Sequence, residues 1–111
     1  MRQLSRSVIG QERLNPIEII GKPTTGPKAG VVYCLKSAYG HKVGRKSNIP
    51  VRMRAFGGHL PFQYTILLSA WFDDCHAAEQ RYHHRFAEQR INGEWFDLTE
   101  AGIVAIRQRA P

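Results

Sequence analysis

The chain contains only two cysteines, Cys34 and Cys75, and no Cys-x-x-Cys pair, which excludes a disulfide framework as the source of its stability. No apolar run reaches the length of a membrane span. The N-terminus carries Arg2 and Arg6 but no apolar stretch long enough for a signal peptide. A cytoplasmic protein with no membrane partner is therefore expected. Internal repeats are also lacking. The most telling scarcity is of acid: between Glu18 and Asp73 there is no acidic residue, while Lys22, Lys28, Lys36, Lys42, Arg45, Lys46, Arg52 and Arg54 all fall there. A field of one sign attracts polyanions, and a nucleic-acid backbone is the commonest that a protein meets. A solvated basic face without a partner is the plain alternative.

With 111 residues the chain suits one small domain with one core and one active site. Residues 1–29 hold a single short apolar run around Ile17 to Ile20 and then Gly21-Lys22-Pro23-Thr24-Thr25-Gly26-Pro27. Proline and glycine at that density read as an arm or linker, so the folded unit is placed at residues 30–111. Val31 to Lys36 and His41 to Arg45, joined through Ser37-Ala38-Tyr39-Gly40, read as a β-hairpin. Ser47 or Asn48 can cap a short helix that carries Arg52 and Arg54 and stops at Gly57-Gly58. Phe62 to Phe72 reads as a third strand, the most buried one. Asp73 and Asp74 suit the start of a second helix running to about Gln89, and Thr99 the start of a third that buries Ile103 and Ile106. The expected class is α/β (α+β), a small three-stranded antiparallel sheet flanked by helices.

On the second helix Cys75, Ala78, Tyr82 and Phe86 define the buried face, with Glu79 about 40° and His83 about 80° from its centre. A carboxylate at the edge of a core needs a cation, a metal or a donor. The salt-bridge partners suggested by the sequence are Arg52, Arg81 and Arg85.

One ordered set of residues carries chemistry: Val31-Val32-Tyr33, then Lys42-Val43-Gly44, then Arg52, then Glu79. A phenol, an amine, a guanidinium and a carboxylate suffice to cut a phosphodiester with one bound metal ion. This order, with eight residues from Gly44 to Arg52, resembles the GIY-YIG endonuclease superfamily. Within it the chain is most similar to the small phage and bacterial branch whose second tripeptide begins with lysine and whose end reads Arg90-Ile91-Asn92-Gly93-Glu94-Trp95-Phe96.

The resemblance implies metal-dependent hydrolysis of DNA. Tyr33 would be the general base or the group that orients the attacking water, and Arg52 would hold the scissile phosphate with its planar fork. Glu79 would bind hydrated Mg²⁺ or Mn²⁺, and His83 would contact phosphate or position water, with a satisfied structural histidine as the plain alternative. Lys42 replaces the family's second tyrosine and has three candidate roles: polarising Tyr33 from across the hairpin, contacting a phosphate, or sitting on the surface. Lys36, Arg45, Lys46 and Arg54 are candidates for binding the nucleic-acid backbone. The pattern does not separate DNA from RNA, nor does it give an oligomeric state, and residues 1–29 are the candidate attachment point for a targeting partner.

Two other readings compete: a nucleic-acid-binding module with little or no turnover, and a phage-encoded regulatory interaction protein. A zinc reading of Cys75, His76, His83 and His84 fits no common four-ligand spacing. Trp95 and Phe96 are expected to close the core, with base stacking as the functional alternative for Trp95.

Overall fold

The computed structural model describes residues 16–47 and 60–111; the short helix expected after Ser47, with Arg52 and Arg54, lies outside the described residues. The hairpin forms as expected from strands β2 (Gly30–Ser37) and β3 (Gly40–Ser47). Its turn closes at Gly40, whose φ of 122° is a conformation that L side chains rarely adopt. Strand β4 (Tyr64–Phe72) pairs antiparallel with β2 on the other side, completing the expected antiparallel trio.

The described residues extend this trio to six strands in the order β1-β4-β2-β3-β6-β5. Strand β1 (Glu18–Ile20) comes from the expected arm and lies parallel to β4. Strands β5 (Arg90–Asn92) and β6 (Trp95–Phe96) form a small hairpin, and β6 pairs with β3 at His41 and Lys42. The expected count of three strands is thus too low. Segments of two or three residues are too short to show the alternation by which a strand is recognised.

Helix α1 (Cys75–Arg85) is capped by Asp74, whose carboxylate accepts from the Ala77 N–H at 3.0 Å. Helix α2 (Glu100–Arg107) is capped by the Thr99 hydroxyl. Both helices cover the sheet face presented by Val32, Cys34, Val43 and Leu68, where Tyr82, Phe86, Phe96 and Ile106 complete the main core. Tyr33, Leu35 and Ile66 face the opposite side and pack with Leu60, Tyr64 and Trp95. The pairing of β2 with β4 shifts between Cys34 and Leu35, whose partners are Leu68 and Ile66. Leu67 is the extra residue. This bulge moves the alternation by one place, so an unbroken apolar run serves both faces. The most thoroughly buried strand is β2 rather than β4, because β1 covers β4 only along Leu68–Ala70.

Residues before β2 are tied down as well. Thr24 Oγ1 donates to the Phe72 carbonyl at 2.8 Å, and the Cys75 N–H donates to the Lys28 carbonyl at 3.0 Å. The segment from β1 onward therefore follows β4 to the start of α1.

Candidate active site

The site is built around the middle of β3. Tyr33 and Gly44 are direct partners across the hairpin, and the phenol leans from β2 over the glycine. A Cβ placed on Gly44 would lie 2.5 Å from the phenol oxygen. Only hydrogen fits there.

Next to Gly44, Val43 is engaged through its backbone on both polar atoms. Its N–H donates to the Glu94 carbonyl at 3.0 Å, and its carbonyl accepts from His83 Nε2 at 2.8 Å. Since a carbonyl only accepts, the His83 proton sits on Nε2. The His83 ring also packs against Phe96, 5.1 Å between centroids. His83 is thereby a buried anchor that fixes α1 to β3, and it sets Glu79, one helical turn earlier, beside the same strand.

Glu79 is buried to 4% exposure. Its Oε1 accepts from Arg45 Nε at 3.2 Å and from Gln80 Nε2 at 3.4 Å, and its Oε2 lies 4.0 Å from His83 Nε2. Arg52, Arg81 and Arg85 were the partners suggested by the sequence; Arg52 is outside the described residues, and among those described the guanidinium on Glu79 is that of Arg45. The reason is register. Arg45 pairs with Val32, which faces the helices, so the arginine points to the helix side while its neighbour Gly44 lies under Tyr33.

Lys42 stands opposite Leu35 and Trp95, on the face of Tyr33, with Nζ 4.0 Å from Glu94 Oε1. Burial, first, and then the negative charges of Glu94 and Glu79 push the phenol well above the usual tyrosine range.

The structure thus brings Tyr33, Lys42, Glu79 and His83 to one stretch of β3. Lys36 pairs with His41 near the turn, away from this stretch, and Lys46 lies further along β3. Cys75 and His83 are buried, His76 and His84 exposed, and among the described residues no group of three His, Cys, Asp or Glu could hold a metal. Phe96 is fully buried, and Trp95 packs half-buried against Phe62, 5.7 Å between centroids.

Residues 30–110 match the T5orf172 domain. The chain belongs to this family. The T5orf172 domain is phage-associated and nuclease-related. Neither a curated protein nor a solved structure matches the chain. In this T5orf172 domain, sequence reasoning missed Arg45 as the partner of Glu79 and Glu94 as a charge acting on Tyr33. The first was recoverable: once Tyr33 is paired with Gly44, alternation sends Val43 and Arg45 to the helix side. The second was not, because Glu94 reaches β3 through a hairpin too short to read. Among the described residues no helix is long and apolar enough to cross a membrane.

Proposed function

We propose that this T5orf172 domain is a metal-dependent endonuclease of the GIY-YIG kind that hydrolyses DNA phosphodiesters. The observation that carries the reading is the convergence on β3 of a phenol lying over Gly44 and a buried carboxylate held beside the same strand by His83. Nuclease relatedness and the basic stretch between Glu18 and Asp73 agree with it.

With its pKa raised by burial and by neighbouring carboxylates, Tyr33 keeps its proton near neutrality. Its role in this reading is therefore to hold and aim the attacking water, the alternative to acting as base. Arg52, carried over from the resemblance, would bind the scissile phosphate and stabilise its growing charge. Lys42, beside Glu94 on the same face as Tyr33, would attract the backbone.

The donor set suits magnesium or manganese rather than zinc. Glu79 offers one carboxylate beside β3, and such ions accept one protein oxygen completed by waters and phosphate oxygens. Bound there, the cation would supply charge stabilisation at the phosphate and the leaving oxygen. His83 would keep Glu79 in place through its bond to Val43. In this reading residues 30–111 carry the chemistry, and residues 1–29 offer a place for a targeting partner.

A second reading, a nucleic-acid-binding module without turnover, is favoured by the guanidinium already on Glu79. Incubation with supercoiled plasmid and Mg²⁺ or Mn²⁺ decides between them: the nuclease gives nicked or linear DNA, whereas a binding module shifts intact DNA in a gel. An interaction protein would show DNA affinity that hardly changes with salt, while phosphate-dominated binding weakens steeply.

A further inference from the structure

The nuclease reading leaves one contact unexplained, because Arg45 already sits on one oxygen, Oε1, of the carboxylate that would hold a cation. The two partners differ in freedom: the Glu79 side chain is 5% exposed and that of Arg45 is 40% exposed. The carboxylate is buried on α1, whereas the guanidinium is part-exposed on a long flexible stem. Arg45 also lines a pocket of about 300 Å³ with Lys28, Ser47, Asp74, Cys75 and His76. Lys28 and Arg45 bring two positive charges there. The one acid, Asp74, already accepts from the Ala77 N–H as the cap of α1. Such a lining suits a singly charged phosphodiester.

We infer that Arg45 is a two-position latch coupling nucleic-acid binding to the metal site, and that the pocket it shares with Lys28 and His76 receives a backbone phosphate next to the scissile one. In the free protein Arg45 neutralises Glu79 and covers Oε1. When a strand lies along β3, a phosphate in the pocket draws the guanidinium away, and the carboxylate opens to a divalent cation. The inference rests on the proposed metal role of Glu79. It gives Arg45 a positioning function, acting on the cation only through Glu79, and it would disfavour loading of the site before the strand is in place. Linkage requires that the strand and the cation strengthen each other by the same factor.

The test measures Mn²⁺ affinity by loss of the free-ion electron paramagnetic signal, with and without a short DNA duplex. A Tyr33→Phe background slows cleavage of the duplex by about 10²–10⁴-fold, and the duplex is checked for integrity after each titration. Arg45→Gln should bind Mn²⁺ about fivefold more tightly than the parent in the absence of DNA, and should show a correspondingly smaller gain when the duplex is added. Lys28→Gln should leave the DNA-free Mn²⁺ affinity unchanged. Both variants should flatten the salt dependence of duplex binding, each by about 0.9 in the logarithmic slope, as expected for one lost phosphate contact. If Arg45→Gln leaves DNA-free Mn²⁺ affinity as it was, the latch is wrong. If neither variant changes the salt slope, the pocket is not a phosphate site. Glu79→Gln serves as the independent control: Mn²⁺ binding that survives it overturns the metal role of Glu79, a failure distinct from that of the latch.

Discussion

Tyr33 and Gly44 form a cross-strand pair in which the aromatic ring occupies the space where every other residue would place a side chain. This single juxtaposition explains why a glycine in the middle of a strand is useful here. It lets the phenol lie over the middle of β3, the strand against which Glu79 and His83 are held from the helix side. The energetic disadvantage of glycine in a strand is the structural condition for the site.

Gly44→Ala follows directly. A methyl group 2.5 Å from the phenol oxygen cannot coexist with the ring, so the ring must turn away. Overpacking of this kind costs about 1–3 kcal/mol of stability, and a displacement of roughly 1 Å in a positioning group costs about 100-fold in rate. Plasmid cleavage should fall by about that factor, with a modest drop in the urea midpoint. Unchanged cleavage would show that the phenol over Gly44 is not in the site.

Glu79→Gln keeps the shape of the side chain and an acceptor for Arg45 while removing the charge. Because Arg45 is part-exposed and can be solvated, stability should change by no more than about 1 kcal/mol. Cleavage should be lost, and affinity for duplex DNA kept or raised, since one negative charge has gone from a basic surface. Cleavage at the wild-type rate would remove Glu79 from the proposed mechanism.

Long, strongly patterned segments were legible in the chain. The hairpin, β4, the capped starts of α1 and α2, and the burial of Glu79 beside Tyr82 all follow from alternation, caps and helical spacing, and all appear in the fold. Of the strands that were not legible, β1 and β6 owe their form to partners distant in sequence, Glu18 lying beside Leu68 and Trp95 beside Lys42, and β5 is a three-residue strand held only by β6. The same limit applied to the site. Spacing identified Tyr33 and Glu79 as candidates, but the charges that set their behaviour, Glu94 and Arg45, arrive through tertiary pairing. Spacing also gives no measure of the desolvation of the Tyr33 ring, which is 3% exposed.

Tyr33→Phe removes the hydroxyl and keeps the ring over Gly44. If the phenol aims water, cleavage should slow by about 10²–10⁴-fold with the fold intact. The pH profile separates the two roles. Since the folded-state pKa is raised, ionisation of Tyr33 should contribute nothing to the rate near neutrality. A wild-type rate that climbs about tenfold per pH unit from neutral to mildly alkaline conditions, with the climb missing in Tyr33→Phe, would instead assign the phenolate as base.

Lys42→Tyr restores the aromatic found in most of the resembled superfamily. The position lies opposite Leu35 and Trp95, so a ring has apolar surface to pack on, and the pairing with Glu94 is given up. Retained cleavage would show that the amine and the phenol do the same work. Loss of cleavage with unchanged DNA affinity would assign Lys42 a specific part beyond attraction of the backbone.

Alkaline stability tests the core beneath the site. Cys34 is fully buried on the helix side of β2, and burial pushes its thiol from the ordinary 9.0 up to about 12. The sign is fixed by which state holds the proton. In the unfolded chain the thiol ionises near its ordinary value, while the folded protein keeps it neutral, so the stabilising contribution is complete below about pH 9 and declines as pH rises towards the folded value, by up to about 1.4 kcal/mol per unit. Tyr82, raised by burial to about 12, adds to the decline once the pH passes its ordinary 10.0. The urea midpoint should therefore fall steadily above about pH 9. Cys34→Ala should start lower, through the small cavity it leaves, yet lose less between about pH 9 and 10. A wild-type midpoint that stays level over that interval would mean that the thiol is in contact with water, and that the sheet and α1 do not close over Cys34.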